Sequence, residues 1–271
     1  MKSNIAEILK LQLPPVALLW AEEKPLNAKQ FGAGRSGCVM FLFANVLKGA
    51  SAALDRDTFG CPGGGVGLGF GNIYENFPGG LECFYYFLSS GNEAWETGRQ
   101  LGAQLAGVLP KEFHHHFSHG EAYKKSPELV KDFVEALPIM DIPAKYVVMK
   151  PLSEVDPARE TPENVTLMAA PDQLAALVVL ANYGRRGLNN VTIPFGAGCQ
   201  SMGIMAYAEA KAEYPRAVVG LIDISARKFL KSQVGHDYFS FTMPWRLYLE
   251  MEANVAESFL NRDTWRGLVK E

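Results

Sequence analysis

Residues 58–71 read TFGCPGGGVGLGFG, with seven glycines, one proline, one cysteine and no charge. Glycine reaches positive φ without a Cβ clash and lets backbone approach another object closely, but ordering it costs more entropy than ordering other residues. So dense a run weakens any helix or strand, and something outside it must hold it in place. A phosphate, a metal centre or another stretch of backbone would each serve. Cys61 stands at the front of the run, before Pro62. A thiolate beside backbone N–H groups suits a metal or cluster ligand, because those groups stabilise anionic sulfur. The plainer alternative is a structural loop with an inert buried thiol.

Spacing excludes two phosphate motifs. Gly65, Gly67, Gly69 and Gly71 recur every second residue, which is not G-x-G-x-x-G, and no Lys-Ser/Thr pair follows as in a P-loop. The period of two predicts an extended segment with one bare face and Val66, Leu68 and Phe70 on the other.

Composition narrows the class. The 271 residues are 48% apolar and 20% charged, values of a folded globular chain long enough for a large core. A formal net charge of −3 without a basic block argues against nucleic acid as a partner. The longest uncharged stretch, residues 187–208, is broken by two Asn, Pro194 and several glycines, so no membrane span is expected. Residues 1–13 carry Glu7 and lack the apolar centre of a secretory leader. The expectation is a cytoplasmic protein whose four cysteines stay reduced, as ligands or buried thiols. Nothing in the sequence fixes the oligomeric state.

Taken in order, residues 3–13 predict a short helix stopped by Pro14-Pro15, and residues 16–20 a buried strand. Residues 39–54 are apolar at helical spacing, which puts Cys38 at a helix N-terminus, where the dipole lowers a thiol pKa; a cysteine that merely caps a core helix is the alternative. Residues 81–88 (LECFYYFL) predict an aromatic strand with Cys83 inside it as a core residue. Residues 90–93 start a helix to about 109. His114, His115, His116 and His119 have the density to chelate a metal, but are read as an exposed connection without that role. Ser126-Pro127 predicts an N-cap and first helical position. From residue 144 strands and helices alternate: strands at 146–149, 165–169, 191–195, 217–223 and 238–243, helices at 172–183, 201–214 and 244–260.

An offset of 138 lays Gly49 on Gly187, Cys61 on Cys199 and Gly65 on Gly203. The predicted fold is therefore mixed α/β, with two structurally related halves, 1–140 and 141–271, packed as one unit with a glycine-rich cysteine loop in each. Their cleft would gather Cys61 and Cys199, with Cys38 reaching it from its helix N-terminus.

Several of these residues resemble a known family. Pro14-Pro-Val-Ala, Cys38 before an apolar helix, Cys61-Pro-Gly-Gly with the following Gly-Leu-Gly, Gly198-Cys199, Asp223 four before Arg227, and Phe239 four before Met243-Pro244 occur in the order found in the DUF169 family. The resemblance spans nearly the whole chain and implies a shared fold without an assigned activity. The histidine run and Cys83 are outside that pattern.

Two functions follow from the residues. In the first, Cys38, Cys61 and Cys199 bind a metallocofactor, an iron–sulfur cluster, for a redox-related role with a small molecule or redox partner; Cys83 or a non-cysteine group would be the fourth ligand. The absence of close cysteine pairs disfavours structural zinc. In the second, a binding protein or an enzyme without metal, Gly63, Gly64, Gly65 and Gly198 cradle an anionic small molecule, and Arg227 or Arg185-Arg186 supplies the countercharge.

Overall fold

The computed structural model describes residues 1–269. The chain first lays down α1 (Asn4–Ile8), β1 (Val16–Ala21), α2 (Val39–Val46), β2 (Ala52–Leu54) and α3 (Pro62–Leu68). Asn72–Ile139 then forms a compact unit of its own, with α4 (Gly80–Phe87), α5 (Glu96–Leu105), α6 (Lys111–His119) and α7 (Pro127–Ala136). From Met140 the chain rejoins the first unit. It adds β3 (Tyr146–Pro151), β4 (Asn164–Ala169), α8 (Pro171–Tyr183), β5 (Val191–Thr192), α9 (Gly198–Met202) and α10 (Ile204–Ala210). β6 (Ala217–Gly220), α11 (Ile224–Val234), β7 (Phe239–Pro244), α12 (Trp245–Asn254) and α13 (Asp263–Leu268) complete it.

The mixed α/β fold expected from the sequence is present. One seven-stranded sheet runs β2-β3-β1-β4-β7-β6-β5. Its pairs are antiparallel except for β5 with β6, which is parallel. At its centre β1 and β4 pair with Leu18 opposite Asn164. Outward from that pair the order is β1, β3, β2 on one side and β4, β7, β6 on the other, with β5 beyond. The expected boundary at 140 falls where the inserted unit ends, not at a division of the sheet, which interleaves strands from before and after it.

The alternation of side chains gives the sheet two unlike faces. Ala17, Leu19, Val165, Leu167, Phe241 and Met243 form an apolar core with Leu177 and Leu180 of α8 and Leu247 and Tyr248 of α12. The opposite face carries buried Asn164, Thr166, Ser240 and Thr242. There the Asn164 amide donates to the Met202 carbonyl at 2.8 Å, and the Thr166 and Thr242 hydroxyls bond at 2.9 Å. Buried polar groups usually have such partners; the Asn164 bond ties α9 to the sheet and the threonine pair ties β4 to β7, while the Ser240 hydroxyl has no protein partner.

The glycine run is a helix rather than the extended segment its period of two predicts. Cys61 caps α3 in extended geometry, Pro62 opens it, and Gly69 closes it at φ +93°, a left-handed stop that favours glycine. Four glycines in seven residues cost roughly 3–4 kcal/mol of helix propensity relative to alanine. Tertiary contact offsets this. A Cβ on Gly67 would lie 2.8 Å from the Cys199 carbonyl carbon, and one on Gly203 only 2.0 Å from the Gly67 oxygen. Gly64, on the same face one turn earlier, would meet Val39 at 2.6 Å. The object approached is another helix.

Other expectations need correction. Residues 81–88 are not a strand but lie largely in α4, because Cys83, Phe84 and Phe87 are buried together at helical spacing. The aromatic content misled, since β propensity mostly reports packing context. The histidine run is helical in α6: His114 Nε2 lies 2.8 Å from the Gly102 carbonyl, and His116 Nδ1 is 2.9 Å from Glu121. The apolar stretch after Cys38 stops being helical at Val46 and turns into β2 at the sheet edge. Ser126 caps α7 as expected.

Substituting Gly67→Ala should destabilise the protein by about 1–3 kcal/mol, since the added methyl must push two backbones apart. Gly267→Ala, exposed in α13 with nothing near the added Cβ, should be neutral or stabilising by about 1 kcal/mol. Urea unfolding midpoints of the two variants would check the contrast.

Candidate functional site

Four helix starts meet on the side of the sheet opposite the apolar core, and each brings one ionisable side chain. Cys38 caps α2 and Cys61 caps α3. Cys199 is the second residue of α9, and Asp223 caps α11. The packing of α3 on α9 brings two sulfurs to one peptide group. Cys199 Sγ donates to the Gly63 carbonyl at 3.2 Å, and the Gly64 N–H donates to Cys61 Sγ at 3.3 Å. Both contacts address the Gly63–Gly64 peptide unit, so the sulfurs lie within about 9 Å of each other, given ordinary C=O and C–N lengths. The structure thus brings the Cys61 and Cys199 loops together, as expected.

Asp223 joins the remaining pieces. One carboxylate oxygen accepts from Ala226 N–H at 2.6 Å, which caps α11, and the other accepts from Gly198 N–H at 2.5 Å, which anchors α9. Gly198 is confined: its Cβ position lies 3.3 Å from Ala226, Asp223 and the Met40 sulfur of α2.

Burial dominates the electrostatics. It pushes the Cys38 thiol up to about 12, with the neighbouring Cys61 and Asp223 adding to the shift and the N–H groups of Met40 and Phe41 opposing it. Burial also raises Cys61, against the N–H groups of Gly64 and Gly63. Cys199 is held well above the usual thiol range by burial, then by Cys61, Cys38 and Asp223. Asp223 is itself raised by burial, partly countered by the N–H groups of Ala226 and Gly198 and by Arg227. The three thiols therefore feel one another and the carboxylate, and a dipole at the α2 N-terminus does not outweigh desolvation at Cys38.

The other sequence-derived residues are placed as follows. Gly65 N–H closes the first helical turn onto the Cys61 carbonyl at 2.9 Å. Arg227 bonds the carbonyls of Leu221 (3.1 Å), Tyr238 (3.0 Å) and His236 (2.6 Å) and lies over Phe239. It thereby holds the β6–α11 corner, where Leu221 has φ +60°, a strained conformation for a leucine. Arg185 is engaged with Glu250 and the Pro215 carbonyl. Cys83 belongs to the inserted unit, buried in α4, where its carbonyl accepts from Asn92. Asp223 as a site residue escaped sequence reasoning; the signal was a carboxylate directly between an apolar strand and a helix.

The order of these elements matches a family pattern from Asn4 to Asn254. A family model described as Uncharacterised ArCR, DUF169, matches residues 4–254. The chain belongs to the DUF169 family. No match to it was found among curated proteins or solved structures. Among the described residues of this DUF169 chain, no three His, Cys, Asp or Glu side chains are grouped to hold a metal ion, and no helix is long and apolar enough to cross a membrane.

The raised thiols set a pH dependence. An unfolded thiol ionises near 9, whereas the folded ones stay protonated above that, so above about pH 9 the unfolded state binds fewer protons and stability falls as pH rises. The loss should extend towards about 12 for Cys38. Urea titrations of the metal-free DUF169 protein between pH 8 and pH 11 should show a steeper decline than the same titrations of Cys38→Ser.

Proposed function

We propose that the protein binds an iron–sulfur cluster through Cys38, Cys61 and Cys199 and serves a redox role in the cytoplasm, where these free thiols stay reduced. The observation that carries this reading is the pair of sulfurs on one peptide group, with Cys38 and Asp223 acting on both. Buried thiols that raise one another's pKa remain neutral unless a cation draws off their protons. A soft polynuclear centre does that, and thiolate ligands select it over hard cations. Among the described residues no three donors are grouped around a single ion; Cys61 and Cys199 share a peptide, and a separation within about 9 Å admits two corners of a cluster. The Gly64 and Gly63 N–H groups would offset sulfur charge, the usual outer support of such a centre. An anionic ligand without metal would meet the Asp223 carboxylate, which makes it the poorer fit. Phe41 and Ile224, beside Cys38 and Asp223, are 49% and 64% exposed and offer apolar surface to a redox partner.

The same reading takes the two sides of the sheet as related halves. The orders β1-β3-β2 and β4-β7-β6 support it. So does helix packing: α2 lies on α11 and α3 on α9, contacts that a twofold axis through the β1–β4 pair would exchange. The sequence offset pairs Cys61 with Cys199. Sheet order pairs it with Asp223, because the helix of Cys61 follows β2 and that of Asp223 follows β6.

Anaerobic purification followed by reconstitution with ferrous iron and sulfide tests the function. The wild type should take up iron and acid-labile sulfide in equal amounts and gain broad visible absorption. Cys38→Ser, Cys61→Ser and Cys199→Ser should each lose most of it, and Cys83→Ser should keep it. Wild-type protein that binds neither iron nor sulfide contradicts the proposal, as does loss confined to Cys83→Ser.

A further inference from the structure

We infer that the protein binds a small organic carboxylate with an apolar body, in a cavity bounded by α11, Met168 of β4 and the loop that leads into β7. The inference goes beyond the cluster reading and does not depend on it, since none of the cysteines lines this cavity.

The cavity follows from the way α11 begins and ends. The corner at Leu221, held by Arg227, sets its start. Gly235 ends it at φ +90°, a conformation that favours glycine, and the chain turns back so that His236 and Tyr238 join the lining. Ile224, Arg227, Lys228, Lys231 and Val234 lie three and four residues apart along α11, so one stripe of the helix forms a wall. The space amounts to about 430 Å³, within the range of small-molecule sites.

The lining specifies the ligand in two parts. Met168, Leu221, Leu230 and Val234 are apolar, and Arg227, Lys228, Lys231 and His236 supply N–H groups. No Asp or Glu lines the cavity, in a chain whose formal net charge is −3. Among the described residues Lys231 forms no ion pair. Three of the five Arg227 N–H groups go to carbonyls, which fixes its positive charge at one edge of the space. Apolar walls with a few converging charged groups are the usual composition of a small-molecule site. A free inorganic anion would satisfy the cations and leave the apolar wall in water. A neutral apolar molecule would cover that wall and leave the cations without a partner. A single carboxylate on an apolar body serves both, and one charge costs less to withdraw from water than the two of a phosphate ester.

Phenylacetate tests this, with phenylacetamide as its neutral isostere and acetate as the anion without an apolar body. Each is titrated into the whole chain, and binding is followed by calorimetry and by the methyl resonance of Met168, assigned with Met168→Leu. Phenylacetate should bind with a Kd of about 1 mM or tighter, as expected for a ligand of its size, and should move the Met168 resonance. Phenylacetamide and acetate should each bind at least about 10-fold more weakly. Lys231→Glu should weaken phenylacetate binding by about 10-fold. Lys24→Glu, the same change of charge on an exposed residue outside the cavity, should leave it unaltered. Phenylacetamide or acetate bound as tightly as phenylacetate overturns the inference. So does an affinity that Lys231→Glu leaves unchanged, or a Met168 resonance that stays in place at saturation. Phenylacetate without saturable binding up to about 10 mM overturns it as well. None of these outcomes touches the uptake of iron and sulfide, so the cluster reading stands or falls separately.

Discussion

The backbone contact between α3 and α9 is the constraint on which the site depends. Gly67 and Gly203 approach so closely that neither position has room for a methyl group. That distance lets Cys199 reach the Gly63 carbonyl while the next amide, Gly64, serves Cys61. A helix with side chains at these positions would have to stand farther off, which would pull Cys199 away from the Gly63 carbonyl. The glycine content therefore does not serve flexibility. It trades helix propensity for proximity, and the capping residues Cys61, Pro62 and Gly69 keep so poor a helix in register.

Proximity sets opposed electrostatic influences on the thiols, which stay neutral, with Cys199 donating its S–H to the Gly63 carbonyl. Burial, mutual repulsion and Asp223 hold the thiols neutral, while the amides of Met40, Phe41, Gly63 and Gly64 face the sulfurs in a manner suited to anions. On the cluster reading, those amides would meet sulfur anions once a cation had displaced the thiol protons. The sheet beneath adds to this picture. Its face under the cysteine helices carries a polar strip on β4 and β7, where Asn164 ties to α9 and Thr166 to Thr242, beside buried apolar residues such as Leu18 and Met149, whereas the opposite face is an apolar core.

Much of this was legible in the sequence where local signals act alone. Proline after serine marked the start of α7, the apolar run 16–20 marked β1, and glycine-flanked Cys61 and Cys199 marked the loops that meet. What escaped depends on partners distant in sequence. The period-two glycines looked like a bare strand because nothing local says that Gly67 faces α9. Phe84 and Phe87 looked like strand aromatics until their burial on one helix face was visible. The offset of 138 singled out Cys61 and Cys199, whose loops meet, but gave no sign of Asp223, which no spacing ties to Cys61. Arg227, singled out as countercharge, instead holds a strained corner through three carbonyls.

X-ray absorption at the iron edge of protein purified without air from cells, never reconstituted, tests the central claim most directly. The account predicts a sulfur shell at about 2.3 Å, the ordinary metal–thiolate length, together with a second iron at short range as in a cluster. Iron surrounded only by oxygen and nitrogen, or purified protein without metal and with all its thiols free, would contradict it.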